Sequence, residues 1–168
     1  MIYKKVSGKY VRADLRADFP NTSFPSDLSQ AVLPGGYIWV VPSPQPVPGL
    51  FEFVIEIQPF RDSKGAWRQM WGIQTKTTEE IQTILADAVQ AHLDATSQSR
   101  AYDGILSLCT YATSPSPKFA AEGQAGVEWR DACWAKGYEI LAECKNGTRP
   151  IPMPDELIAE LPAMAWPE

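Results

Sequence analysis

The feature that most constrains this chain is a change of hydrophobic period that occurs, without a linker, at Thr77. Before that residue, Trp67, Trp71 and Ile73 recur at even spacing, which places them on one face of a β-strand. At the change itself, Thr77 and Glu80 have the spacing of a capping box, in which the Thr77 side chain accepts from a backbone N–H of the first helical turn and the Glu80 side chain accepts from the N–H of the cap residue. The sequence therefore predicts a strand that passes directly into a helix.

After Thr77, apolar residues recur at steps of three and four, which is the period of an amphipathic helix. The stripe, which includes one histidine, consists of Ile81, Ile84, Leu85, Ala88, Val89, His92 and Leu93. We expect it to pack directly behind the Trp-bearing strand. The chain is predicted to be an α+β protein, with a small antiparallel β-sheet domain in residues 1–76 and a helical domain in residues 77–168.

Further segments of the N-terminal region have the composition of strands and of the loops between them. Residues 2–6 and 9–12 flank a Ser-Gly turn and predict an opening hairpin. Residues 37–41 and 51–57 are rich in β-branched and aromatic residues, and the second of these is expected to pair with the Trp67 strand as an antiparallel hairpin. Alternating prolines in residues 42–48 predict an exposed extended loop, because proline cannot donate a ladder hydrogen bond.

The C-terminal region contains three more segments with helical spacing. Residues 102–109 predict a short helix or a kinked continuation of the helix before it, and residues 119–145 and 155–161 predict a long helix and a short final helix. The long helix contains Gly123, Gly126 and Gly137. Because each costs about 1 kcal/mol relative to alanine in a helix, they indicate close approach of a neighbouring helix. Residues 164–167 are largely apolar and are expected to pack back onto the helices.

Charge is distributed unequally between the two regions. Residues 1–76 hold nine lysines and arginines against six aspartates and glutamates, a net charge of +3, whereas residues 77–168 hold six against fourteen, a net charge of −8. Nucleic-acid binding needs a concentrated basic face, so nucleic acid is not expected as a partner. The one basic cluster, in residues 4–16, is typical of an edge strand protected by lysines.

The sequence also lacks the signals of membrane insertion and secretion. It has no run of the roughly 18 apolar residues that a membrane span requires, and its first residues lack the apolar core of a signal peptide. We therefore expect no membrane association and a cytoplasmic location. The three cysteines have no paired short spacing, and reduced, buried thiols are expected.

Motifs for catalysis or cofactor binding are absent from the sequence. There is no Gly-rich phosphate loop and no zinc-ligand spacing, so no nucleotide, cofactor or metal is expected. His92, the only histidine, is interpreted as a core or boundary residue, not as a catalytic base. Glu52 and Glu56 are interpreted as the polar face of a strand and not as a glycosidase pair. With no candidate catalytic residues, the protein is predicted not to be an enzyme.

Aromatic and proline residues are the strongest indication of a partner. Six tryptophans and fifteen prolines exceed what core packing of a small domain explains. One helix cannot cover both faces of a small sheet, so at least one of Trp39, Trp67 and Trp71, together with Pro44 and Pro46, is expected to contact a partner protein. The alternative is that all three tryptophans lie in one core between elements.

Residues 65–168 contain a series of different short motifs. In the strand, Trp67-x-x-x-Trp71 is followed by a helix start at Thr78-Glu79-Glu80-Ile81. The helical region adds Ala91-His92-Leu93-Asp94-Ala95, Arg100-Ala101-Tyr102-Asp103-Gly104-Ile105, Lys118-Phe119-Ala120-Ala121-Glu122-Gly123, Trp129-Arg130-Asp131-Ala132-Cys133-Trp134, Thr148-Arg149-Pro150-Ile151-Pro152, Glu156-Leu157 and Leu161-Pro162. Together these motifs resemble the tail-fibre assembly chaperones that are encoded beside the fibre gene in contractile-tailed phages and R-type pyocins.

This resemblance implies a non-enzymatic protein of the host bacterial cytoplasm that helps a trimeric tail-fibre protein to fold, by binding near the C-terminal tip of the fibre. A slowly closing β-rich trimer exposes strand edges and apolar surface that such a partner can cover. Because no nucleotide site is expected, the free energy of binding alone would have to assist folding of the fibre. The alternative is a structural subunit that is retained in the tail particle as a fibre-tip or baseplate component.

Overall fold

The computed structural model describes residues 1–168. It contains two compact units, Met1–Lys76 and Thr77–Glu168. All five strands lie in the first unit, which we call the β unit, and four of the five α-helices lie in the second, the helical unit. The predicted α+β class is therefore confirmed.

The β unit is one five-stranded sheet with a short helix. Its elements are β1 (Ile2–Val6), β2 (Lys9–Arg12), α1 (Leu15–Asp18), β3 (Tyr37–Val41), β4 (Glu52–Arg61) and β5 (Trp67–Thr75). The strand order is β2-β1-β3-β5-β4. All neighbours are antiparallel except β3 and β5, which are parallel. The sheet is therefore mixed and the prediction of an antiparallel sheet is wrong at this pair, because β4 takes the outer edge and β5 returns beside β3.

Both predicted hairpins are present in the β unit. Ser7 and Gly8 join β1 to β2 with φ of 49° and 85°, the left-handed conformations that a tight two-residue hairpin turn requires. The pairing of β4 with β5 is interrupted by a β-bulge, because Ile57 pairs with Met70 but Phe60 pairs with Arg68. Since a bulge leaves residues outside the ladder, the strand can continue through a proline at position 59, beyond the end predicted at residue 57.

The two faces of the sheet follow from the strand registers. One face, which we call the inner face, carries Tyr3, Val40 and Gln69, all of which are buried. The opposite, outer face carries Trp39 and its β1 partner Ile2. Trp67, Trp71 and Ile73 share the inner face, as their spacing predicted.

The helical unit contains four α-helices. They are α2 (Thr78–Gln98), α3 (Ile105–Thr110), α4 (Pro117–Lys145) and α5 (Pro154–Glu160), with a 3₁₀ turn at Tyr111–Thr113. The predicted capping box is present at the start of α2: the Glu80 N–H donates to Thr77 Oγ1 at 3.2 Å, and the Thr77 N–H donates to Glu80 Oε2 at 2.7 Å.

The core of the helical unit draws on every one of its α-helices. Val89 and Leu93 of α2 lie in this core with residues of α3, α4 and α5. The C-terminal residues Met164 and Trp166 pack against the same core, as predicted. Trp129 anchors this return by donating its indole N–H to the Pro162 carbonyl at 2.7 Å.

The glycines of α4 differ in what surrounds them. A Cβ at Gly123 would lie 2.2 Å from the Ala112 nitrogen, and one at Gly126 would lie 2.7 Å from Leu108 Cδ2. A Cβ at Gly137 would meet nothing within 4 Å. The predicted close approach is therefore confirmed at the first two positions and is wrong at Gly137. None of the helices has the length and apolar character needed to cross a lipid bilayer.

Candidate functional site

The inner face of the sheet contains a network of polar side chains centred on Glu56. Its carboxylate accepts a short hydrogen bond from the Tyr3 hydroxyl, a bond from Gln69 Nε2 at 2.6 Å and an ion pair from Arg12 Nε at 2.8 Å. Burial raises the pKa of Glu56, but the hydrogen bonds from these partners outweigh burial and hold the pKa below its usual value. Burial and the bond to Glu56 together raise the pKa of Tyr3.

Glu52 and Glu56 share one face of β4, as predicted, and the network shows that this is the inner face of the sheet. Because Glu56 points to the inner face, its alternating neighbours Phe53, Ile55 and Ile57 lie on the outer face. A Cβ at Gly72 would meet Ile57 Cγ2 at 3.1 Å and Ile55 Cγ1 at 3.4 Å, so both isoleucines lean across the glycine. The apolar side of β4 is therefore on the outside of the sheet.

Large apolar side chains remain exposed on this part of the outer face. Phe53 is 38% exposed, Met70 is 43% exposed and Phe60 is 45% exposed. We call this surface the hairpin patch, and define it by Phe53, Ile55, Ile57, Phe60 and Met70. An apolar patch of this kind, formed by neighbouring residues of one hairpin, is typical of a protein interaction surface.

The rest of the outer face is covered within the β unit. Asp18 of α1 accepts from Lys4 Nζ at 2.9 Å and from the Tyr37 hydroxyl at 2.9 Å, and both partners lie on the outer face of β1 and β3. Phe19 packs against Tyr37 with ring centroids 5.5 Å apart. These contacts hold α1 over the β1–β3 part of the outer face and leave the hairpin patch uncovered.

The structure divides the predicted partner-binding residues between the two faces. Trp39 lies half-buried on the outer face, on β3. Trp67 lies half-buried on the inner face and packs against Tyr10 with the two rings tilted and their centroids 5.0 Å apart. The indole N–H of the half-buried Trp71 donates to the Ser43 carbonyl at 3.1 Å, which fixes the start of the proline loop.

Pro44 and Pro46 are exposed in that loop, together with Val47, which is 92% exposed. The structure thus brings Trp71 and the proline loop together, whereas Trp39 lies on the other face of the sheet. The alternative of one core containing all three tryptophans does not hold, because Trp39 and Trp67 occupy opposite faces.

Sequence reasoning missed Phe53, Phe60 and Met70. The signal was available in β4, where Phe53, Ile55 and Ile57 alternate with Glu52 and Glu56. Alternation identifies two faces but does not say which one is solvated. The usual assignment, with glutamates outward, is reversed here by the partners of Glu56.

The helical unit contributes an apolar groove between α2 and α4. Its volume is about 530 Å³, and it is lined by residues that include Leu85, Trp134, Gly137, Tyr138 and Leu141, with Lys145 as the charged member. Near the end of α2, the buried Glu122 accepts from the Tyr102 hydroxyl at 2.6 Å and lies 3.6 Å from Arg100 Nη1. Burial and the bond to Glu122 raise the pKa of Tyr102 to about 12.

The residues considered for catalysis occupy ordinary packing positions. His92 is half-buried against the ring of Trp129, with centroids 5.7 Å apart. All three cysteines are free thiols, and burial raises the pKa of Cys133 to about 11. No group of three or more histidine, cysteine, aspartate or glutamate side chains is arranged to hold a metal ion.

Comparisons of this chain with protein-family models, with curated proteins and with solved structures find no match. The β unit offers two exposed surfaces to a partner: the hairpin patch on the outer face, and the proline loop, which is anchored at Trp71 of the inner face.

Proposed function

We propose that this protein is a tail-fibre assembly chaperone, which binds a trimeric fibre polypeptide in the cytoplasm of the bacterial cell that produces the particle. The observation that carries the proposal is the uncovered hairpin patch. Its exposed phenylalanines and methionine are suited to cover apolar surface that a β-rich fibre exposes before its three chains have closed. The motif resemblance in residues 65–168 is the reason for proposing a tail-fibre polypeptide as the partner.

The charge of the two units supports the choice of the β unit as the binding surface. The helical unit carries fourteen carboxylates against six basic residues, and carboxylates buried at a tight interface cost desolvation free energy. The hairpin patch consists of apolar side chains, so the fibre can cover it without removing a carboxylate from water.

The contribution of one anchor can be estimated. Truncation of a well-buried aromatic anchor costs on the order of 2 kcal/mol, which corresponds to about a thirtyfold loss of affinity. We expect Phe53→Ala and Met70→Ala each to weaken binding of the co-expressed fibre polypeptide and to lower the yield of soluble trimer. Trp39 shares the outer face with the patch, and Trp39→Ala should act in the same direction where the contact extends along that face to β3.

Leu106→Ala is the matched control. Leu106 is 70% exposed on α3, more than any residue of the hairpin patch, and lies in the other unit. Far-UV circular dichroism and thermal melting establish that each variant is folded. Normal fibre binding by both folded patch variants, with a loss in Leu106→Ala, would place the contact on the helical unit and overturn the assignment of the site.

A chaperone and a retained subunit differ in the composition of the finished particle. Mass spectrometry of purified particles should detect the fibre but not this chain if the protein acts transiently. Stoichiometric amounts of the chain in washed particles would instead identify a fibre-tip or baseplate component.

A further inference from the structure

The two edge strands of the sheet, β2 and β4, are connected by a side chain that imitates a peptide group. Gln58 of β4 accepts from the Tyr10 N–H through Oε1 at 2.7 Å, and its Nε2 donates to the Tyr10 carbonyl at 3.0 Å. A residue of an antiparallel strand forms the same two bonds, one donated and one accepted, with the residue opposite it. The Gln58 carboxamide thus occupies the place of a strand on the free edge of β2.

The ladder of the β1–β2 hairpin shows why this edge is available. Val11 pairs with Lys4 and Tyr10 pairs with Lys5. Hydrogen-bonded and non-hydrogen-bonded pairs alternate in such a ladder, and Tyr10 directs its backbone groups away from β1. Arg12, two residues on, directs its backbone to the same outer edge. The β-bulge after Ile57 turns Gln58 out of the β4–β5 ladder and toward Tyr10.

We propose that the free edge of β2 accepts an additional strand from a partner, antiparallel to β2, and that Gln58 holds this position in the unbound protein. The partner strand takes over both backbone bonds of Tyr10 and adds bonds at Arg12. Main-chain bonds of this kind supply affinity in strand addition, and alternate side chains supply specificity.

Charge selects the chemistry of the added strand. Residues 2–12 contain four lysines and arginines and no acidic residue. Lys4 and Arg12 are paired with Asp18 and Glu56, whereas Lys5, opposite Tyr10 on β1, and Lys9, next to it on β2, are exposed. A strand with alternating carboxylates is attracted to this edge, whereas the β2 edge of a second copy is repelled by like charge. The occupant is therefore an extended acidic segment of a different polypeptide. The site is a sheet edge, separate from the hairpin patch, and does not depend on the tail-fibre proposal.

The test uses the full chain and a synthetic probe, a short blocked peptide in which glutamate alternates with valine. Amide resonances of ¹⁵N-labelled protein are followed as the peptide is added at low ionic strength. Addition of a strand should shift the amides of Tyr10 and Arg12 most, and the affinity should fall with added salt. A peptide with lysine in place of glutamate is the charge control and should not bind.

Two pairs of variants distinguish strand addition at β2 from the alternative that Gln58 only joins β4 to β2 within the protein. Gln58→Ala removes the side chain that the peptide must displace, and two hydrogen bonds predict an affinity increase of at least about fivefold. Gln45→Ala, in the exposed proline loop, should leave affinity unchanged. Tyr10→Pro removes the outward N–H and should abolish binding, whereas Tyr10→Ala keeps that N–H and should bind.

The proposal is overturned if the acidic peptide leaves the amides of Tyr10 and Arg12 unchanged up to millimolar concentration, or if Gln58→Ala binds no more tightly than the wild type. Equal binding of the lysine peptide would also overturn it. If Tyr10→Pro does not fold, the Gln58→Ala comparison decides alone.

Discussion

Three glycine-to-alanine substitutions in α4 form a matched series, because the same residue change meets three different surroundings in one helix. Alanine is favoured over glycine in a helix by about 1 kcal/mol at every position. Any difference among Gly123→Ala, Gly126→Ala and Gly137→Ala therefore reports on the space around each glycine.

The structure predicts the order of the three variants. At Gly137 nothing lies within 4 Å of the added Cβ, so the full gain of about 1 kcal/mol in unfolding free energy should appear. At Gly126 the Cβ would lie 2.7 Å from Leu108, which is fully buried. Overpacking of this kind costs about 1–3 kcal/mol, which leaves a net loss of about 0–2 kcal/mol.

Gly123→Ala should be the most damaging substitution. Its Cβ would lie 2.2 Å from the Ala112 nitrogen and 2.5 Å from the Tyr111 carbonyl carbon. Contacts between heavy atoms are favourable near about 3.5 Å, so α4 and the 3₁₀ turn must separate by about 1.3 Å. Because backbone atoms cannot rotate away, we expect a net loss of about 2 kcal/mol or more.

Urea unfolding of the full chain, monitored by the helical far-UV circular dichroism signal, measures the unfolding free energy of each variant. In a unit of this size, 1 kcal/mol shifts the melting temperature by about 4–8 °C. Wild-type stability in Gly123→Ala, or a loss of stability in Gly137→Ala, would show that the described packing of α4 is wrong.

Three further predictions concern strain and titration. Ala101 has φ of 65° after the end of α2, so Ala101→Gly should raise the unfolding free energy by about 0.5–1 kcal/mol in the same urea assay. The pKa of Glu56 is lowered in the folded state. Its contribution to the free energy of unfolding is therefore present above its unfolded pKa and is lost as pH falls through the folded pKa. The difference between the urea midpoints at about pH 7 and about pH 3 should therefore be smaller in Glu56→Gln than in the wild type. The raised pKa of Tyr102, about 12, means that its bond to Glu122 stabilises the fold below about pH 10 and is lost as pH rises through the folded pKa. Ultraviolet titration of tyrosinate should lose its last step in Tyr102→Phe.

The parts of this fold that sequence predicted are those fixed by neighbouring residues. The capping box at Thr77 and Glu80 requires only a spacing of three, and the hairpin turn at Ser7 and Gly8 requires only two residues. The direction of Glu56 could not be predicted in this way, because it depends on Tyr3 and Arg12, which lie more than forty residues earlier in the chain. The hairpin patch was missed for the same reason.

Long-range pairing also limited the prediction of topology and of glycine packing. The parallel contact of β3 with β5 depends on where β4 is placed, and no local alternation contains that information. Gly123 and Gly137 are alike in sequence context, since both lie within one long helix. Only the positions of Ala112 and Leu108 determine which glycines are crowded.

The bulge that contains Pro59 also influences the behaviour of the chain before it has folded. Residues 51–57 combine aromatic and β-branched side chains, the composition of segments that stack into amyloid-like sheets. Pro59 follows this segment and cannot donate a hydrogen bond to a stacking chain, while Glu52 and Glu56 place like charges within it. The bulge that turns Gln58 toward Tyr10 in the folded protein therefore includes Pro59. In the unfolded chain, the same proline opposes aggregation of the strand segment before it.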